Sequence, residues 1–136
     1  MDMAKYRNLF LEEASEHLAE MSRALLALEK DPADGPAIDL VFRMAHSIKG
    51  MAASLSYQAI TDLSHALEDR MAAVRAAGRV APGDETALLF RGLEGLERMV
   101  GHVRESGEGP GPAPELLEAL SAPSSPSPSE PLKKKA

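Results

Sequence analysis

Residues 42–54, FRMAHSIKGMAAS, place one histidine inside a run whose apolar positions follow the period of an α-helix. Lys49 and Gly50 follow His46 by three and four residues, so they share a helix face with it. A glycine inside a helix costs about 1 kcal/mol relative to alanine. Gly50 therefore needs a reason, either in close packing or in access to the histidine beside it.

Four long segments around this stretch carry the same helical period. We predict helices over these ranges, with a short one last: 3–30, 36–55, 57–77, 83–105 and 115–120. The inward stripe of the first helix is predicted to begin at Tyr6 and Leu9. Because the connections are short, neighbouring helices should be antiparallel. The sequence therefore predicts an all-α, up-down antiparallel four-helix bundle with a short fifth C-terminal helix.

The C-terminal stretch has a different composition. Residues 122–136, APSSPSPSEPLKKKA, are rich in proline and serine and contain almost nothing to bury. We expect a disordered linker or tail there, after an ordered domain over 1–121. A linker at this point indicates either a domain tethered to something else or a fragment of a longer chain.

The composition argues against several classes of function. The formal net charge is −6, which disfavours nucleic acid and anionic membrane surfaces as partners. There is no cysteine, so disulfides, thiolate metal ligands and thiol nucleophiles are excluded. The N-terminus lacks the apolar segment of a signal peptide, and no apolar run approaches the ~18 residues that span a bilayer. We expect a cytoplasmic protein.

The sequence also lacks the loops that bind nucleotides. Neither GxxxxGK[ST] nor GxGxxG occurs, and the glycines are expected mainly in linkers. GxSxG and HExxH are absent as well, and the carboxylates are expected on solvated helix faces. The chain therefore has no evident ATP-binding catalytic centre, which leaves open whether it counts as an enzyme alone.

The histidines remain as candidate reactive groups. His17 and His102 lie among charged residues and are interpreted as surface histidines without a special role. His46 follows an inward alanine, so it is turned about 100° from the core stripe, at the edge of the inner face. It is either an ordinary boundary residue, with Gly50 permitting close helix approach, or a reactive group.

A reactive His46 would suit phosphoryl chemistry. An imidazole has an ordinary pKa near ~6.5, so its neutral form can attack a phosphoryl group at neutral pH. Arg43 and Lys49 flank His46 and could offset charge on the transferred group. Gly50 would then leave room for a partner's active site to close over the ring.

The third helix offers a supporting pair in SHALEDR, residues 64–70. His65 and Glu68 lie three apart, and antiparallel packing could bring them against His46. Glu68 accepting a hydrogen bond from His46 would select one tautomer of the ring and leave its other nitrogen free. A solvated helix-surface pair and a metal site of His46, His65 and Glu68 are the alternatives, although the flanking cations disfavour a metal ion.

These segments resemble histidine phosphotransfer (Hpt) domains, specifically the N-terminal domain of CheA-type chemotaxis histidine kinases. The resemblance covers about residues 5–105. It rests on AHSIKG and on three longer stretches: LFLEEASEHLAEMSRALLALEK, VFRMAHSIKGMAASLSY and LSHALEDRM. It implies that His46 is the phosphoacceptor and that Glu68 hydrogen-bonds its imidazole. Lys49 and His65 would support the reaction, and Gly50 would keep the site open.

The resemblance also implies the partners. A separate histidine kinase catalytic domain would supply the phosphoryl group from ATP, and the receiver domain of a response regulator would accept it on an aspartate. ATP and Mg²⁺ would be held by those partners, with no cofactor or metal on this domain, which we expect to be a monomer in isolation. Ala53 and Ser56 stand where the family often has glycine, so docking of a receiver could differ. A helical adaptor that binds a receiver or a kinase domain without phosphotransfer is the alternative.

Overall fold

A computed structural model describes residues 2–122 and contains five α-helices, without a strand in that range. Their bounds are α1 Met3–Lys30, α2 Gly35–Ser54, α3 Gln58–Ala77, α4 Glu85–Ser106 and α5 Pro114–Ser121. The predicted bounds differ from these by at most two residues. Apart from Ala122, the predicted tail over 122–136 lies outside the described residues, so its disorder and the domain boundary at 121 stay predictions. No helix between residues 2 and 122 is long and apolar enough to cross a bilayer.

Local signals start and stop the helices. The side chain of Asp34 accepts a hydrogen bond from the Ala37 backbone N–H (3.1 Å) and so caps the first turn of α2. Gly78 ends α3 in the left-handed conformation at φ +82°. Ser56, between α2 and α3, also has a positive φ of +63°, a region that glycine enters more readily than serine. That geometry explains why a glycine would fit well at this position.

Helices α1 to α4 form a ring in which each helix packs against two others, and α5 lies in the outer groove between α3 and α4. The ion pairs show that α2 and α3 are antiparallel, because Asp39 near the start of α2 meets Arg75 near the end of α3 (3.6 Å). Further along α2, His46 meets Glu68, which lies earlier in α3. The predicted helical bundle is confirmed. In this bundle, the face of α2 that carries His46 lies against the face of α3 that carries Glu68.

Two residues of the predicted inward stripe of α1 are exposed instead. Tyr6 and Leu9 are 45% and 51% exposed. Helix α1 has 28 residues and α2 only 20, so the N-terminal part of α1 is not fully covered. An apolar groove results, and its apolar lining consists of Met3, Tyr6, Leu9, Phe10, Met51 and Leu55.

Three glycines, Gly92, Gly95 and Gly101, lie inside α4 rather than in a linker, which corrects the sequence-based expectation, and the first two are closely packed. A Cβ atom on Gly95 would lie 2.6 Å from Leu116 Cδ2 and 3.0 Å from Leu63 Cδ2. Gly92 is similarly covered, with Leu67 Cδ1 at 3.3 Å from its Cβ position. These glycines let the leucines of α5 approach the backbone of α4.

A buried ion pair joins α3 to the first turn of α4. Arg70 Nε and Nη2 donate to the two carboxylate oxygens of Glu85 (2.6 and 2.8 Å), and both residues are buried. The expectation that the carboxylates lie on solvated faces is therefore wrong for Glu85. Glu85 also lies at the N-terminus of α4, where the helix dipole favours a negative charge.

Candidate functional site

His46 lies at the edge of the buried face of α2, with its side chain in solvent. Its neighbours Ala45 and Ile48 are fully buried, whereas the His46 side chain is 64% exposed. Its Nδ1 atom lies 2.7 Å from Oε2 of Glu68 on α3. A carboxylate can only accept, so Nδ1 carries the hydrogen and donates it. In the neutral ring, Nε2 then keeps its lone pair.

Glu68 is buried and engaged by two groups of α2. Besides His46, Lys49 places its Nζ atom 2.7 Å from Glu68 Oε1, so each carboxylate oxygen has a partner. Burial raises the pKa of Glu68, but the hydrogen bonds and charges of Lys49 and His46 outweigh it and hold the pKa below the ordinary value of 4.5. The carboxylate is therefore ionised at neutral pH. The expectation of a solvated carboxylate is wrong here too.

Gly50 is open to solvent. A Cβ atom on Gly50 would meet no heavy atom within 4 Å, in contrast to Gly92 and Gly95. The interpretation that Gly50 permits close helix approach is therefore wrong. The bare backbone next to His46 leaves free space on the approach to its ring.

Two predicted residues lie outside this cluster. His65 is exposed, and its Nε2 atom lies 3.4 Å from Oδ2 of Asp69 on the same helix. Arg43 Nε donates to Asp39 (2.8 Å), one turn earlier in α2. The structure thus brings together His46, Glu68 and Lys49, with Gly50 beside them.

A metal site of His46, His65 and Glu68 does not fit this geometry. His65 pairs with Asp69, and the second oxygen of Glu68 is held by Lys49. Across residues 2–122, no group of three His, Asp or Glu side chains is placed to hold a metal ion.

One contact next to the site was not anticipated. His17 Nε2 lies 3.1 Å from the hydroxyl oxygen of Ser47, the residue that follows His46. His17 is partly buried between α1 and α2, so it is not a fully exposed surface histidine; the expectation that it has no special role stays a prediction. Its spacing of three and four residues from the buried Ala14 and Met21 was the available signal, because it places His17 beside the core stripe.

Comparison with known proteins agrees with this geometry. The family model of the Hpt domain matches residues 5–106. The chain belongs to the Hpt domain family. The resemblance seen in the sequence is therefore confirmed, and the bundle is a histidine phosphotransfer domain of the kind found in CheA proteins.

Several CheA proteins and domains are similar to this Hpt domain. Chemotaxis protein CheA of Bacillus subtilis is 38% identical over 109 residues, which are 80% of this chain and 16% of that protein. The chain thus spans about a sixth of the length of this curated relative. The CheA phosphotransferase domain from Thermotoga maritima superposes with a TM-score of 0.70 at 30% identity, covering 76% of this chain and 99% of that one.

A second similar structure is the phosphorylated P1 domain of CheA3 in complex with CheY6 from R. sphaeroides. It gives a TM-score of 0.75 at 25% identity, and the match covers 85% of this chain and 92% of that one.

The lowered pKa of Glu68 predicts a dependence of stability on pH. The unfolded chain restores the ordinary pKa, so ionised Glu68 stabilises the fold at every pH above that value. This contribution is lost as the pH falls through the lower folded pKa. We expect the free energy of unfolding, measured by urea titration, to fall more steeply for the wild type than for Glu68→Gln between about pH 5 and pH 3. Parallel curves for the two proteins would contradict the assignment.

Proposed function

We propose that this Hpt domain carries a phosphoryl group on Nε2 of His46. It would receive the group from ATP held by a separate kinase catalytic domain and pass it to an aspartate of a response regulator receiver domain. The observation that carries the proposal is the 2.7 Å hydrogen bond from His46 Nδ1 to buried Glu68, on a ring that is 64% exposed. Because both proposed partners, the ATP-bound kinase domain and the response regulator, would be in the cytoplasm, we propose a cytoplasmic location for this domain.

The proposed uptake step uses the lone pair of Nε2. This pair attacks the γ-phosphorus of ATP, the bond to the bridging oxygen of ADP breaks, and ADP leaves with that electron pair. The ring, protonated at Nδ1 and phosphorylated at Nε2, gains a positive charge. Glu68 accepts the Nδ1–H bond and stabilises this charge electrostatically.

The proposed discharge reverses the chemistry at nitrogen. A carboxylate oxygen of the receiver attacks the phosphorus, the N–P bond breaks, and its electron pair returns to Nε2. Glu68 keeps its hydrogen bond to Nδ1–H throughout, so the ring is restored to the same tautomer. Mg²⁺ and ATP belong to the partners in this scheme, and the domain itself contributes the ring and its support.

Lys49 and Gly50 have distinct proposed roles. Lys49 pairs with Glu68 and keeps its carboxylate charged and oriented. Gly50 keeps the approach to the ring clear. His65 pairs with Asp69, and we give it no step in the mechanism.

The apolar groove supports a docking partner close to His46. It is lined by residues of α1, by Met51 of α2 and by Leu55, the residue that follows α2. A protein that covers Gly50 to reach His46 would meet this groove on the α1 side. Its exposed apolar side chains suit a protein surface, and we propose the receiver domain as the partner. The similar CheA3 domain was solved in complex with CheY6.

The role of His46 is tested by its replacement. Wild type incubated with ATP, Mg²⁺ and the catalytic fragment of a CheA-type kinase should gain one acid-labile, base-stable phosphoryl adduct in intact-mass analysis. His46→Gln should gain none, because the amide has no nucleophilic nitrogen, and His102→Gln should behave like wild type. An adduct on His46→Gln would show that another residue accepts the phosphoryl group. No adduct on wild type with an active kinase fragment would favour the adaptor alternative.

The access role of Gly50 has a matched control within the chain. Gly101 lies in α4 and is also open, since its Cβ position meets nothing within 4 Å. We expect Gly50→Leu to fold and to slow phosphate uptake at least tenfold, because the side chain stands beside the ring. Gly101→Leu should fold and take up phosphate at the wild-type rate. Equal uptake rates in the two variants, followed by mass analysis over time, would count against the access role.

The docking role of the apolar groove also has a matched control. Leu9 and Leu26 both lie on α1 and are each 51% exposed, but Leu26 lies outside the groove. We expect Leu9→Asp to weaken binding of a receiver domain about tenfold or more in titration calorimetry, because a charge in an apolar contact is desolvated. Leu26→Asp should bind like wild type. If both variants bind equally, the receiver docks elsewhere.

A further inference from the structure

The guanidinium group of Arg70 joins three helices. Its Nε and Nη2 hold Glu85 at the start of α4, as described above. Its remaining Nη1 donates to backbone carbonyls at the end of α5: 2.6 Å to Leu120 O, 2.7 Å to Ala122 O and 3.4 Å to Ala119 O. The last carbonyls of a helix lack partners within it, and Arg70 supplies one from another helix.

Helix α5 depends on these contacts because it is short. It has eight residues, and an isolated helix of that length is not stable in water. Its two buried residues pack against glycines of α4: Leu116 against Gly95 and Leu120 against Gly92. No side chain caps the start of α5, because the preceding residue, Ala113, contributes no capping hydrogen bond. The order of α5 therefore comes from α3 and α4.

The segment before α5 can act as a pivot. Residues 107–113, GEGPGPA, contain three glycines and two prolines and form no helix. Gly107 ends α4 in the left-handed conformation at φ +76°, and Gly109 rests against the ring of Tyr57, 3.2 Å from its Cβ position to Tyr57 Cδ1. The chain is thus anchored at the level of Gly109 independently of α5.

We propose that residues 114–122 form a releasable latch, held shut by Arg70, that sets how far along the chain the bundle holds this segment. With the latch shut, Arg70 holds the chain as far as Ala122. With the latch open, the last held residue is Ala113, which packs against the core, so the point of attachment moves by the length of α5, about 12 Å for eight residues. Arg70 acts as the clasp because one side chain holds both Glu85 and the end of α5.

The latch lies on the other side of α3 from the phosphoacceptor. Arg70 follows Glu68 by two residues, which places the two side chains about 200° apart around α3. Glu68 faces α2 and His46, whereas Arg70 faces α4 and α5. Opening the latch should therefore leave phosphate uptake by His46 within about twofold of wild type. Hydrogen exchange in α5 therefore reports on the latch whether or not His46 is phosphorylated.

The test is amide hydrogen exchange on the full chain, followed by mass spectrometry. Arg70→Met/Glu85→Met removes the clasp and replaces the buried ion pair with apolar side chains of similar size, which a core tolerates. We expect exchange at residues 117–122 to accelerate at least tenfold, while α2 and α3 keep wild-type protection. Arg75→Met, on the exposed face of the same helix, should leave α5 protected. Unchanged protection of α5 in the double variant would overturn the latch.

A second variant decides the case if the double variant does not fold. Leu116→Ser/Leu120→Ser removes the apolar contacts of α5 and keeps Arg70 and Glu85 in place. The latch predicts loss of protection confined to residues 114–122. Loss of protection across all five helices would show that α5 is part of the cooperative core, which would overturn the proposal.

Discussion

The arrangement around His46 depends on one carboxylate, that of Glu68, which lies largely out of water between α2 and α3. A buried carboxylate is costly unless both oxygens find strong partners, and here both partners come from α2. His46 and Lys49 are three residues apart, so the helix period presents them on one face toward α3. These contacts help to fix the register between α2 and α3, and the same atoms hold the imidazole of His46. In the proposed function, one interaction thus serves both the fold and the reactivity of His46.

Glycine has two opposite uses in this bundle. At Gly92 and Gly95 the missing side chain is replaced by leucines of α3 and α5, and the helices come closer together. At Gly50 the space stays empty and faces solvent. The sequence does not distinguish these uses, because all three residues sit inside helices with similar neighbours. Only the position of the other helices decides which glycine is covered and which is left open.

The parts of the fold that could be predicted from sequence are those with local causes. Helix bounds follow from caps and stops near each end, as with Asp34 and Gly78, and the antiparallel order follows from short connections. The approach of Glu68 to His46 was predictable as a possibility from the two helix patterns. Arg70 was not, because its contacts with the end of α5 join residues about fifty positions apart. The exposure of Tyr6 likewise depends on how far α2 extends, a difference in helix length that the spacing of α1 does not contain.

The His46 ring stands on an exposed surface, with its outer nitrogen open to any protein that fits around it. A group so exposed has little selectivity of its own. The groove on α1 and α2 is built from side chains that take no part in holding the imidazole. With a receiver docked there, as we propose, insulation between parallel signalling routes becomes a property of that outer surface. Surface substitutions alone would then redirect the domain to a new partner, while His46, Glu68 and Lys49 stay unchanged.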